Sequence, residues 1–149
     1  MLPPLRRAQT ASGSIEYRES GRGDDPALVL LHGLGSNSAS FRSQYGPLGE
    51  RFRVVAWNAP GYCGSTPLGS EEPSAADYAD ALGSLLDALG IERTHLVGSS
   101  WGGLLAIAFA ASCPARVRSL VLSAPNAGSG SLTEEERRPA CVRACPTSA

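Results

Sequence analysis

The fold is decided by the stretch Thr94-His95-Leu96-Val97-Gly98-Ser99-Ser100-Trp101-Gly102-Gly103. Thr94 to Val97 has the character of a short buried strand. The apolar run from Leu104 to Phe109 continues as a helix to about Ser112. Between them stands Gly98-Ser99-Ser100-Trp101-Gly102, a Gly-x-Ser-x-Gly pattern. A strand that passes into a helix over so few residues needs a very sharp turn, which forces its central residue into a strained backbone conformation. Glycines on either side remove side chains that would collide with the neighbouring strand or helix. The Ser100 hydroxyl then stands clear of the sheet at a helix N-terminus, where unpaired N–H groups and the positive dipole end favour a developing oxyanion. The same five residues also suit a small-residue turn in which the serine merely caps the helix. Ser99 is read as structural.

Outward from this turn the chain alternates strands and helices. Ser14 to Ser20 reads as a half-exposed strand closed by the turn run Gly21 to Pro26, and Ala27 to Leu31 as a strand buried on both faces. A glycine-rich loop from His32 to Ser40 leads to a predicted helix from about Phe41 to Glu50. Phe52 to Trp57 is the next strand, ending in the loop Asn58 to Ser65. Ser74 is a predicted N-cap for a helix from Ala75 to Leu89, which Gly90 stops. Val117 to Leu122 is a last strand. Such alternation with short connections implies an α/β fold, with a mostly parallel, doubly wound sheet covered on both faces.

Composition narrows the function classes. The chain has 149 residues, 42% of them hydrophobic and 18% charged, which excludes a disordered tail. All 13 basic residues are Arg, a bias that fits coding from a GC-rich, bacterial genome. A net charge of −1 with scattered arginines gives no basic patch for nucleic acid or an anionic membrane. The N-terminus has no apolar stretch of the signal-peptide kind, and the longest apolar run, Leu104 to Ala111, is too short to span a bilayer. A cytoplasmic location is expected. Cys63, Cys113, Cys141 and Cys145 match no zinc spacing and are expected to be free thiols.

The motifs together, Leu30-Leu31-His32-Gly33-Leu34-Gly35, the loop Trp57 to Ser65, Gly98 to Gly103 and Arg118 to Leu122, occur in an order that resembles the α/β-hydrolase superfamily over roughly Ser14 to Gly128. Within it the chain is most similar to small esterases, enol-lactonases and carbon–carbon bond hydrolases of aromatic degradation. The resemblance implies Ser100 as nucleophile, with the backbone N–H groups of Trp101 and Leu34 as oxyanion-hole donors. It implies a small-molecule substrate, an ester, lactone or activated ketone, with no cofactor and no metal. It casts His32 as a scaffold residue of the oxyanion loop. A central serine argues against the haloalkane dehalogenases, which use Asp there.

The sequence also departs from this pattern. The family's triad runs Ser, then Asp or Glu, then His along the chain. Here the two histidines, His32 and His95, both precede Ser100. His95 reads as a packed strand residue. Where some relatives carry the acid, this chain has Asn126, while Glu134 to Glu136 read as a solvated helix face. Asn58 replaces the usual Asp at the start of its loop, from which weaker loop anchoring is expected. Residues 1–128 are expected to be the N-terminal part of a hydrolase domain truncated after the strand that follows the nucleophile helix. At about 30 residues per βα unit, roughly 60 to 100 more would complete it. Residues 129–149 are expected to be a poorly ordered tail, an aborted cap segment. Two alternatives stay open: an inactive fragment or pseudoenzyme of the same fold, and a nucleotide-binding α/β module. The latter rests on Gly33-Leu34-Gly35-Ser36-Asn37-Ser38, which partly imitates a dinucleotide fingerprint. Truncation would leave Ser119 to Ser123 as an exposed apolar edge, from which self-association is expected.

Overall fold

The short apolar runs become strands of one sheet, and the amphipathic segments between them become its cover. The computed structural model describes residues 1–125, so Asn126, Glu134 to Glu136 and the expected tail lie outside the described residues. The strands are β1 (Leu5–Thr10), β2 (Gly13–Ser20), β3 (Ala27–Leu31), β4 (Arg53–Trp57), β5 (Thr94–Ser99) and β6 (Val117–Ser123). Their order in the sheet is β1-β2-β4-β3-β5-β6. The first two pairings, β1 with β2 and β2 with β4, are antiparallel, and the three formed by β4, β3, β5 and β6 are parallel. This is the expected mostly parallel sheet. β3, buried along its whole length, lies at its centre between β4 and β5.

The sequence reading missed β1. Leu5-Arg6-Arg7-Ala8-Gln9-Thr10 shows no apolar alternation, because only Ala8 is buried. It is an edge strand held by its hairpin to β2, with Gly13 at φ +102 after the turn.

The helices are α1 (Tyr45–Gly49), α2 (Ala75–Ala88) and α3 (Trp101–Ser112). The expected ten-residue helix shrinks to a 3-10 turn at Ser38–Phe41 and the five-residue α1. Gly46, Pro47 and Gly49 lie in this stretch, and none of the three favours a helix interior. α2 forms as read, with Ser74 as N-cap in a full capping box. Ser74 Oγ accepts from Asp77 N–H at 3.3 Å, and Asp77 Oδ2 accepts from Ser74 N–H at 2.8 Å. Gly90, at φ +66, ends it. Ser74→Ala is expected to lower the unfolding free energy by about 1 kcal/mol. Urea titration would show this as a lower midpoint at unchanged slope, and an unchanged midpoint would contradict the cap.

Two hydrophobic clusters form, one on each face. The larger joins Val29, Leu31, Val55, Trp57 and Leu96 to Leu82, Leu85 and Leu86 of α2 and Leu105 and Phe109 of α3. The smaller packs Leu28, Leu30, Val54 and Ala56 against Tyr45, with Phe41, Leu48 and Phe52 beside them. Cover thins on both faces at β6. Val97 is half-buried, and Leu120, Val121 and Leu122 are exposed at 37%, 54% and 36%. α3 buries Leu105, Ala106 and Phe109 and leaves Ile107 exposed. β6 closes the sheet on this side with no further strand among the described residues. Cys63 is an exposed free thiol, and Cys141 and Cys145 lie outside the described residues.

Candidate active site

β5 passes into α3 with a single residue between them, Ser100. That residue takes φ +52 and ψ −118, a region that side-chain-bearing residues rarely occupy. Its surroundings explain why glycine flanks it. A Cβ at Gly98 would fall 2.4 Å from Gly102 O, and one at Gly102 would fall 2.3 Å from Leu31 O and 2.6 Å from His32 O. The end of β3 and the first turn of α3 therefore touch backbone to backbone. Ser100 N–H donates to Ser123 O of β6 at 2.9 Å, and Gly103 N–H donates back to Ser100 O at 2.9 Å. The Ser100 side chain caps nothing, which removes the reading of this serine as a helix cap. The first N–H groups of a helix have no intrahelical partner, and here they begin at Trp101, next to the hydroxyl.

The loop after β3 lies against this turn. A side-chain carbon at Gly33 would stand 3.4 Å from Ser100 Cβ and 3.9 Å from its Oγ. Gly33 to Ser36 forms a β-turn closed by Ser36 N–H to Gly33 O at 3.1 Å, with Gly35 at φ +69 and Leu34 74% exposed. Ser100, with Trp101 next to it, thus adjoins Gly33, the residue before Leu34 in this loop. The loop runs on into the 3-10 turn Ser38–Phe41 rather than a helix. The dinucleotide reading needs a helix N-terminus for the pyrophosphate and finds none here.

Both histidines are engaged elsewhere. His32 is buried, and its Nε2 accepts from Ala59 N–H at 3.1 Å. Nδ1 therefore carries the proton and faces Gly33 O at 2.9 Å. Burial holds the imidazole below its ordinary range, against the opposing pull of the Gly33 carbonyl, so the ring is neutral. This is the scaffold role expected of it. His95 Nδ1 lies 2.7 Å from Ser119 Oγ, and its ring packs edge-on against Phe52 at 5.6 Å, on the smaller-cluster side of the sheet. It stands five positions before Ser100, about 16 Å along the extended chain. Neither ring has a nitrogen free beside Ser100.

Aromatic side chains form the near wall. The Trp101 ring meets Tyr78 edge-on at 4.9 Å, Tyr62 at 5.6 Å and His32 at 6.3 Å, and Tyr62 meets His32 at 5.0 Å. Burial, with the neighbouring Tyr62 phenol, pushes the Tyr78 phenol upward, so that ring is uncharged at neutral pH.

Glu16 and Asn58 hold the neighbouring loop, a role their sequence context does not signal. Glu16 is only 4% exposed. Its Oε1 accepts from Arg7 at 2.8 and 3.1 Å, and its Oε2 from Gly64 N–H at 2.8 Å and Asn58 Nδ2 at 3.2 Å. Burial pushes this carboxyl upward, but the Gly64 N–H, the Arg7 guanidinium and the Asn58 amide outweigh it and hold it below the ordinary range. Asn58 Oδ1 accepts from Ser38 N–H at 2.8 Å, and Asn58 O accepts from Ser65 Oγ at 2.7 Å. Its loop is therefore firmly anchored, contrary to expectation, because the amide supplies the donor that Glu16 needs and an aspartate lacks. No local signal marks Glu16. Its neighbours Ile15 and Tyr17 are buried on the opposite face, so alternation would place it in solvent.

A serine on a strained strand–helix turn, backed by a glycine loop from the adjacent strand, defines a class of sharp-turn α/β proteins. Residues 26–140 match the alpha/beta hydrolase fold family, and the chain belongs to that family. It is 36% identical over 115 residues to the 2-hydroxy-6-oxo-6-phenylhexa-2,4-dienoate hydrolase of Comamonas testosteroni, covering 74% of this chain and 40% of that one. It is 38% identical over 121 residues to a 2-hydroxy-6-oxononadienedioate/2-hydroxy-6-oxononatrienedioate hydrolase of Pseudomonas putida, covering 78% and 42%. The structure of naproxen esterase from Bacillus subtilis superposes with a TM-score of 0.73 at 32% identity, over 78% of this chain and 41% of that one. The chain thus spans about 40% of the length of the relatives it matches. No helix among the described residues is long and apolar enough to cross a membrane.

Proposed function

We propose that this chain carries the nucleophile half of a serine hydrolase acting on esters, lactones or related carbonyl compounds. Ser100 Oγ attacks the carbonyl carbon and yields its proton to water, the N–H groups of Trp101 and Leu34 receive the developing oxyanion, and its collapse breaks the bond to the leaving group, which departs protonated and leaves an acyl-serine. The observation that carries this is the backbone of Ser100 at φ +52, held with Gly33 against it. That strain has no purpose in a simple cap. The relatives named above are hydrolases, which supports the reaction class.

His32 and His95 do not serve as base, so the serine here works without one of this chain's histidines. An oxyanion hole with binding alone retains about 10³–10⁴ over water. A fluorophosphonate probe is therefore expected to label the folded protein slowly, and Ser100→Ala to abolish labelling without unfolding it. The competing reading, a catalytically silent member of the fold, is favoured by the position of both histidines before Ser100. Folded protein that takes no label, or label that persists in Ser100→Ala, would decide for it.

A further inference from the structure

We propose that Glu16 is a positioning residue, whose buried carboxylate clamps both ends of the Asn58–Ser65 loop and so presses Tyr62 against Trp101 beside Ser100. This rests on the reading of the Ser100 turn as the active centre.

Apart from Glu16, the loop is held from outside at its start, where His32 Nε2 accepts from Ala59 N–H and Asn58 Oδ1 from Ser38 N–H. Gly61 and Cys63 both adopt left-handed backbone, at φ +83 and +51, and three turn bonds close it internally. Glu16 Oε2 accepts from the Asn58 side chain at one end and from Gly64 N–H at the other. Glu16 also engages the loop through its backbone: Asn58 N–H donates to Glu16 O at 2.7 Å, and Glu16 N–H donates to Ser65 Oγ at 2.9 Å. Gly64 is glycine because the carboxylate sits where its side chain would be, a Cβ there falling 2.2 Å from Glu16 Oε1. Tyr62 lies between the two clamped ends, and its ring contacts both His32 and Trp101. Bonds to an ionised acceptor are about twice as strong as neutral ones, which suits one carboxylate to fixing an irregular loop. Arg7, exposed on β1, neutralises the charge from outside without approaching the site. A carboxylate whose only task was stability would have no need to hold both ends of the segment that carries Tyr62.

The test uses the full chain and its two tryptophans. Trp57 is fully buried and Trp101 half-buried, so acrylamide quenching of the accessible emission reports Trp101. Glu16→Ala is expected to raise that quenching severalfold, Glu16→Gln to raise it less, and Tyr62→Ala to match Glu16→Ala. The Glu16→Ala/Tyr62→Ala double variant should show no further rise, since both act through one contact. Slower Ser100 labelling should accompany the rise. Unchanged quenching in a folded Glu16 variant, or additive effects in the double variant, would overturn the proposal. If Glu16→Ala does not fold, Glu16→Gln alone and with Tyr62→Ala carries the same comparison. Quenching does not depend on Ser100 chemistry, so a wild type that fails to label defeats the proposed function and leaves this result standing.

Discussion

Gly102→Ala is expected to lose at least about 3 kcal/mol of stability, although alanine is the better helix former by about 1 kcal/mol. The new methyl carbon would lie 2.3 Å from Leu31 O and 2.6 Å from His32 O. Both obstacles are backbone at the end of the central strand, and no side chain can swing aside. β3 and α3 must separate, which opens the larger cluster where Leu31 and Leu105 are fully buried. The same movement carries Gly33 away from Ser100, so probe labelling should vanish even in whatever fraction stays folded. Gly83→Ala is the control, because its Cβ would meet only Phe109 Cε2 at 3.7 Å, an ordinary contact. That substitution should stabilise α2 by about 0.5–1 kcal/mol. Thermal and urea unfolding of the pair would measure the contrast. A Gly102→Ala protein as stable as wild type would mean that the turn is looser than its geometry requires.

Asn58→Asp, a change of one atom type, should cost about 2–4 kcal/mol at neutral pH. Ser38 N–H already occupies one side-chain oxygen position, so the second oxygen would face Glu16 Oε2 across the present 3.2 Å contact. Two carboxylates so placed cannot both ionise cheaply, and the pair takes up a proton with a pKa raised above the ordinary range. The penalty is therefore full above that raised value and shrinks as pH falls through it. Wild type behaves oppositely. The Glu16 carboxyl is held low, so its contribution is present above the unfolded-state value of about 4.3 and is lost as pH falls through the lower folded value. Stability curves of the two proteins should converge on acidification. Equal stability at pH 7, or a gap that widens toward acid, would contradict the amide–carboxylate pairing.

Much of the fold was legible in the sequence because its signals are local. A run such as Ala27 to Leu31 can only be buried on both faces, and Ser74 with Asp77 marks a helix start through neighbours three residues apart. The strained serine was legible too, since glycines at 98 and 102 around a single hydroxyl leave few other purposes. β1 was not, because an edge strand with one buried side chain has no pattern of its own and exists through its partner. The ten-residue helix read after the glycine loop failed because three weak helix residues outweighed its apolar spacing.

The sequence by itself determined the strand–turn–helix at Ser100, the order of the elements and the position of His32 and His95 ahead of the serine. Each follows from residue type and adjacency, which chain geometry converts directly into structure. Only the tertiary structure decided what Glu16 and Asn58 do. Their partners come from β1, from the Gly64 backbone and from Ser38, segments distant in sequence, and the worth of a buried charge depends wholly on which donors converge on it.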